Sequence, residues 1–539
     1  RRRNPPGGPI NGRRGGEMTG GIPHDIRRGR MDSMILILDF GSQYTQLIAR
    51  KIRALNVYAE IAPFNLTLQE IQSRKPGGIV LSGGPASVME TGSPRVDDGI
   101  FRMGVPMLGI CYGMQLTTLV HGGAVSRSDS REYGHSLMTI RREDPLFTGV
   151  PKDIQVWMSH GDSVKDLADG FVRLATSRDC PIAAMRHAKL PIYGLQFHPE
   201  VHHTKHGQKI LRNFARRVCR EPADWKMKNF AERTIEELRA FRPDRRIVCG
   251  VSGGVDSTVL AVLLHRAVGS RLKSVFIDNG LLRKDEAKTV LERFQRMGVP
   301  VTFIDASQRF LTALRGIEDP EEKRRVIGRV FVEVFMPEIG AESLLAQGTL
   351  YPDVIESVSV KGPSATIKTH HNRVKEILEL GRQNRLVEPL RELFKDEVRE
   401  VGRELDIPME GLLRQPFPGP GLGVRILGEV TPERLRILRD ADAILVEEMK
   451  ACGLYYRTWQ SFCVLLPVRS VGVMGDERTY ENAVAIRAVT SVDGMTADWT
   501  RLPEKLLARL SNRIINEVRG INRVVYDISS KPPGTIEWE

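Results

Sequence analysis

The chain holds 539 residues, 41% of them apolar and 27% charged, with a formal net charge of +13 at pH 7. That length predicts two to four domains of about 150 residues each, and the balance is that of a globular enzyme rather than a disordered or fibrous chain. No apolar run approaches the ~18 residues of a membrane span, and six scattered cysteines without a Cys-x-x-Cys pair exclude a disulfide framework and point to a reducing compartment.

Residues 1–33 carry eight Arg against Glu17, Asp25 and Asp32. They lack apolar periodicity and are expected to form a disordered basic tail. They also lack the apolar core of a secretory signal. With Met31 and Met34 close by, the tail reads as a dispensable extension or an upstream start of translation. A basic RNA-binding arm is the sharper alternative. The remaining positive charge suits phosphorylated small molecules as well as nucleic acid.

From Met34 the pattern alternates. Ile35-Leu36-Ile37-Leu38-Asp39 reads as a strand and residues 45–54 as an amphipathic helix. Gly78-Ile79-Val80-Leu81 is a second strand, ending in Ser82-Gly83-Gly84-Pro85, and Met107-Leu108-Gly109-Ile110 is a third. Such alternation predicts a parallel doubly wound sheet. Gly109-Ile110-Cys111-Tyr112-Gly113 has the form of a nucleophile elbow with Cys in place of Ser, its flanks small because the turn is tight. A Cys at a helix N-terminus gains thiolate character. A strand over 192–197 would place His198 at its end, where Glu200 can orient the imidazole. Gly83 and Gly84 offer N–H groups for an oxyanion hole. A lone cysteine or histidine is structural more often than chemical, but the three features together favour chemistry. His202, His203 and His206 have no acidic or Cys partners clustered with them and read as a solvated turn rather than a metal site.

A second α/β block begins near Arg245. Ile247-Val248-Cys249 is a strand, Ser252-Gly253-Gly254-Val255-Asp256-Ser257 a turn, and an apolar helix follows. Glycines at a helix N-terminus let backbone approach a phosphate, and the dipole favours the anion. No Gly-Lys-Ser/Thr follows, so this is not a Walker A loop. Hydroxyls at Ser252, Ser257 and Thr258 and the carboxylate of Asp256 suit a pyrophosphate with a magnesium ion beside it; an ordinary capped turn is the alternative. The strand through Phe276 and the loop over 347–353 are expected at the same crevice. Lys395 is either on the phosphates or a solvated surface lysine. Residues 319–325 read as a solvated helix start from which Arg324 can clamp a substrate phosphate. From about Phe417 the chain turns to long helical and irregular β patterns without glycine-loop strand ends.

Asp39-Phe40-Gly41-Ser42-Gln43, Leu81-Ser82-Gly83-Gly84-Pro85, the Cys111 elbow and Gln196-Phe197-His198-Pro199-Glu200 resemble class I glutamine amidotransferases. The resemblance implies that Cys111 attacks the glutamine amide, with His198 as base, Glu200 as its orienter, and a γ-glutamyl thioester as intermediate. The loop 252–257 resembles the PP-loop of ATP pyrophosphatases, which split ATP between the α and β phosphates. That likeness implies ATP contacts along Ser252, Gly253, Gly254, Val255, Asp256, Ser257 and Thr258; beside it, the residues themselves suggest Phe276 and Lys395 as further ATP contacts and Asp256 as the Mg2+ ligand.

Gln415-Pro416-Phe417-Pro418-Gly419-Pro420-Gly421-Leu422-Gly423, Leu466-Pro467-Val468-Arg469-Ser470-Val471-Gly472-Val473 and Lys531-Pro532-Pro533-Gly534-Thr535-Ile536-Glu537-Trp538-Glu539 resemble the GMP synthase family, in a likeness running from about Met34 onward. It implies an α/β chain with two doubly wound parallel-sheet domains and a smaller α+β C-terminal domain. After the tail, 34–222 would be the amidotransferase domain, 223–415 the PP-loop domain and 416–539 the domain for xanthosine 5′-monophosphate (XMP) and dimerisation. XMP contacts are implied at Arg324, Gln460, Lys531, Ile536 and Glu537. Glutamine, XMP and ATP would be the substrates of a cytoplasmic homodimer with no membrane contact and no nucleic acid. XMP would be adenylated at O2 and AMP then displaced by ammonia. Rival readings are another PP-loop amidoligase, such as NAD synthetase, or a nucleic-acid-binding protein acting through the tail. One departure from the family pattern follows His370-His371-Asn372, where Arg373-Val374-Lys375-Glu376-Ile377 replaces a Gly-Gly-Leu-Pro-like turn.

Overall fold

The computed structural model describes residues 33–358, 375–474, 477–491, 494 and 496–539. The basic tail before Ser33 lies outside the described residues, as does the departure after Asn372 up to Val374; its Lys375-Glu376-Ile377 opens the helix Lys375–Arg382. Nine strands build the first sheet: β1 (Ile35–Asp39), β2 (Ala59–Pro63), β3 (Gly78–Leu81), β4 (Met107–Ile110), β5 (Ala124–Ile140), β6 (Asp153–Asp166), β7 (Phe171–Ser177), β8 (Ala184–His187) and β9 (Ile192–Leu195). Their order is β2-β1-β3-β4-β9-β8-β7-β5-β6. From β2 to β9 the neighbours are parallel. The rest form an antiparallel wing.

The parallel half follows from its composition. Leu36 and Leu38 enter one core cluster, while Ile35 and Ile37 enter another, so both faces of β1 are covered. The helix Thr45–Arg53 buries Thr45, Ile48, Ala49, Ile52 and Arg53, one stripe of its surface. The antiparallel wing was not foreseen in the sequence. β6 alternates between buried and partly exposed residues over most of its length, the mark of a sheet with one wet face. β9 also ends earlier than expected, at Leu195. Its ladder partner β4 stops at Ile110 and turns into Cys111, whose N–H takes the Leu195 carbonyl at 2.7 Å.

The second sheet holds β10 (Ile247–Gly250), β11 (Leu272–Asp278), β12 (Val301–Asp305), β13 (Leu344–Ala346) and β14 (Leu386–Val387). All are parallel, in the order β12-β11-β10-β13-β14. The chain leaves β10 toward one edge and returns to its other side at β13, so the carboxyl end of β10 is a switch point, where doubly wound folds bind ligands. The loop expected over 347–353 is shorter, because the helix Tyr351–Val358 begins within it.

The last sheet joins β15 (Gln460–Met474) and β16 (Glu477–Thr490) in a long antiparallel hairpin, with β17 (Asp498–Trp499) and β18 (Ile521–Asp527) against β16. The helices Pro432–Ala451 and Glu504–Glu517 belong to this smaller α+β part. Among the described residues, no helix is long and apolar enough to cross a membrane.

Candidate active sites

Three neighbouring parallel strands deliver the first site at their carboxyl ends. Gly83 and Gly84 follow β3, Cys111 follows β4 and His198 lies just past β9. Cys111 is held at φ 47°, ψ −105° at the cap of the helix Tyr112–Val120, a strained conformation of the kind found at functional sites. Its small neighbours are required. A Cβ on Gly109 would stand 2.5 Å from the Gly113 carbonyl, and one on Gly113 would stand 2.4 Å from the Leu81 oxygen.

Cys111 Sγ lies 3.3 Å from His198 Nε2 and 3.1 Å from the Gln196 carbonyl oxygen. On the far side of the ring, His198 Nδ1 lies 2.7 Å from Glu200 Oε1. All three side chains are buried. Burial disfavours the imidazolium, but the charges of Cys111 and Glu200 outweigh it and raise His198 well above its ordinary range. Tyr44 packs edge-on to the His198 ring at 5.0 Å. A Cβ on Gly83 would come within 3.2 Å of His198 Cε1, so this glycine borders the same pocket. The arrangement can pass a proton from thiol to imidazole and hold the resulting ion pair. Tyr112 is the first residue of the helix after Cys111, where backbone N–H groups have no partner within the helix.

The second site is the turn after β10. Gly253 has φ +71°, and a Cβ there would stand 2.3 Å from Val290 Cγ2. Ser257 Oγ accepts from the Ser252 N–H at 3.1 Å, and Thr258 Oγ1 donates to the Gly254 carbonyl at 2.7 Å. From behind, Arg414 donates to the Gly253 carbonyl at 3.0 Å, a support that no local sequence pattern announces. Asp256 stands in the first turn of the helix Val255–Val268. Its Oδ2 lies 3.3 Å from Lys395 Nζ, while its Oδ1 is a buried atom without a hydrogen-bond partner. Lys395 is thus at the loop rather than on open surface. Phe276 differs from expectation: its ring is buried in the core, 6.0 Å from that of Phe303. β11 ends two residues further on, at Asp278. Among the described residues, no group of three or more His, Cys, Asp or Glu side chains could hold a metal; the exposed His203 packs its ring, tilted by 31°, against Trp157 at 4.6 Å.

A third cluster gathers around Glu537. Gln460 Nε2 donates to its Oε1 at 2.6 Å. Arg425 grips both oxygens, at 2.9 and 3.0 Å. Ile536 packs against Phe462, Val464 and Ala485. Arg324 donates to the Glu539 carbonyl, and the buried Lys323 contacts Glu539 Oε2 at 2.6 Å. Lys531 is directed elsewhere, donating to the Gly494 carbonyl at 2.8 Å. Arg425 is not singled out by sequence pattern. It is fully buried, with its guanidinium 4.0 Å from the Phe462 ring centroid. The available signal was a single charge inside the apolar run Leu422-Gly423-Val424-Arg425-Ile426-Leu427.

Comparison with known proteins adds three matches. Residues 36–218 match the glutamine amidotransferase class-I family, residues 226–326 the NAD synthase family and residues 447–538 the GMP synthase C terminal domain. A GMP synthase (glutamine-hydrolyzing) of Pelodictyon phaeoclathratiforme is 55% identical over 513 residues, covering 94% of this chain and 99% of that protein. The protein of the same name from Nitratiruptor is 56% identical over 513 residues, with the same coverage of both chains. That of Aquifex aeolicus is 55% identical over 511 residues, again covering 94% and 99%.

Proposed function

Because the chain belongs to the glutamine-hydrolyzing GMP synthase family, we propose that its Cys111 and PP-loop sites run the two halves of one reaction. The enzyme uses glutamine, XMP and ATP. NAD synthesis is not favoured: the NAD synthase match spans residues 226–326 alone, whereas the GMP synthases match across 94% of the chain.

In the first half, Cys111 passes its proton to His198 and the thiolate attacks the glutamine amide carbon. The oxyanion is met by N–H groups of Gly83, Gly84 and Tyr112. His198, oriented by Glu200, returns the proton to the leaving nitrogen, and ammonia departs from the thioester. Water, activated by the same imidazole, then releases glutamate.

In the second half, XMP O2 attacks the α-phosphorus of ATP and pyrophosphate leaves into the loop Ser252, Gly253, Gly254, Val255, Asp256, Ser257 and Thr258. Lys395 lies against the phosphates. Ammonia adds at C2 and AMP departs, giving GMP. Asp256 fits a Mg2+ ligand because its Oδ1 has no other partner, and the ion would neutralise charge on the phosphates. Arg324, Gln460, Ile536 and Glu537 face XMP, with Lys531 brought in from its present bond.

We read 34–222, 223–415 and 416–539 as the three working units. A homodimer through the last is supported by the exposed Val468, Val471, Val473 and Tyr480 on the β15–β16 hairpin. A cytoplasmic site agrees with six free cysteines. The observation that carries the function is the Cys111–His198–Glu200 line, present in one chain with a separate switch-point anion loop. The test is Cys111→Ala. It loses GMP formation from glutamine and keeps formation from added ammonium; loss of both would overturn the two-site reading.

A further inference from the structure

One buried cation in the described structure belongs to neither site. Arg53, at the end of the helix Thr45–Arg53 beside the first sheet, has a side chain only 1% exposed. Its Nε and Nη2 donate to the Ala59 carbonyl at 2.9 and 2.7 Å, anchoring it to its own layer. Its Nη1 leaves that layer, donating to the Glu392 carbonyl at 2.5 Å and to Glu397 Oε2 at 3.0 Å. The guanidinium carbon lies 4.5 to 5.3 Å from the ring centroids of Tyr351, Tyr58, Phe394 and Trp225. So many contacts on one arginine mark a geometry held against displacement.

What it holds is the start of another helix. Glu397 accepts from the Phe394 N–H at 2.8 Å through Oε2 and from Trp225 Nε1 at 2.6 Å through Oε1. Phe394 is the cap of the helix Lys395–Glu404, so Glu397 closes the first turn on itself. The first residue of that turn is Lys395, whose Nζ lies 3.3 Å from Asp256 Oδ2 in the phosphate loop. Arg53 supplies the counter-charge to a buried carboxylate, the carboxylate fixes the turn, and the turn aims the ammonium.

We propose that Arg53 is a positioning residue for ATP: from the ammonia-producing layer, acting through Glu397, it sets Lys395 against the phosphate loop. This rests on the reading of Lys395 as a phosphate contact. An interface residue of the first layer is thereby part of the second half-reaction even when glutamine is not the nitrogen source.

The experiment measures ammonium-driven GMP formation by the full chain, with XMP saturating and ATP varied, for Arg53→Met, Glu397→Gln, Lys395→Met and the double variant Arg53→Met/Lys395→Met. Arg53→Met and Glu397→Gln are expected to raise KM for ATP about tenfold with a smaller change in kcat. In the Lys395→Met background, Arg53→Met adds nothing further, because the residue it acts through is gone. A purely structural role predicts effects that multiply in the double variant, and that result overturns the proposal. So does an unchanged KM in Arg53→Met when Lys395→Met raises it. If Lys395→Met itself leaves KM for ATP unchanged, the Lys395 reading fails first, and the proposal falls with it. Should Arg53→Met fail to fold, Glu397→Gln decides the matter by the same measurement: a raised KM for ATP supports the proposal and an unchanged one overturns it.

Discussion

Lys395 Nζ stands 3.3 Å from Asp256 Oδ2 although 139 residues separate them along the chain. The pair brings the only acidic side chain of the 252–258 turn against the first residue of a distant helix. Replacing the carboxylate tests what Asp256 contributes beyond this bond. Asp256→Asn is expected to raise the magnesium concentration needed for half-maximal ammonium-driven activity by about tenfold or more, while glutamine hydrolysis continues. An unaltered magnesium titration would remove Asp256 from the metal.

The His198 environment gives a pH signature. Its imidazolium is disfavoured by burial, yet Cys111 and Glu200 raise it well above the ordinary value of 6.5. A raised folded value gives stability that is fully present below that ordinary value and lost as pH climbs through the folded one. Glu200→Gln withdraws one of the two supporting charges. The alkaline limb of glutamine hydrolysis should move to lower pH. The native chain should also lose more melting temperature than Glu200→Gln between about pH 7 and about pH 9. Coincident alkaline limbs would show that Glu200 does not set the proton affinity of His198.

Gly113 and Gly328 make a matched pair for thermal denaturation. A Cβ on Gly113 meets the Leu81 backbone at 2.4 Å, whereas one on Gly328 meets nothing within 4 Å. Gly113→Ala is expected to cost about 1–3 kcal/mol by overpacking and to depress glutamine hydrolysis, since the elbow must shift with it. Gly328→Ala, inside the helix Pro320–Phe335, should stabilise by up to about 1 kcal/mol. Equal melting temperatures for the two variants would contradict the elbow geometry.

Arg425 is the buried partner of Glu537, gripping it at 2.9 and 3.0 Å. Arg425→Met leaves the carboxylate with Gln460 alone. KM for XMP should rise at least about tenfold while the Cys111 half-reaction stays intact. An unchanged KM for XMP would separate Glu537 from substrate recognition.

Much of the fold was legible from local pattern. The strand 35–39, the elbow at Cys111 and the turn at 252–257 each carry their signal within a few residues, because strand ends, tight turns and helix caps are short-range structures. The antiparallel wing β5–β8 was not legible, since half-buried strands look alike wherever they pair. Nor was the true end of β9, which is decided by where its neighbour β4 stops.

By itself, the sequence determined the chemical parts: a cysteine with small neighbours, a histidine two residues before a glutamate, and a glycine turn with hydroxyls and one carboxylate. Those depend on residue type and spacing. Only the tertiary structure decided the company they keep. It put Lys395 on Asp256, sent the Phe276 ring into the core, turned Lys531 toward Gly494, and drew Arg425 and Arg53 out of sequences that read as ordinary apolar and basic surface. The physical reason is that a buried charge is tolerated only where distant segments supply its counter-charge and hydrogen bonds together, and no local window of sequence contains both sides of that contact.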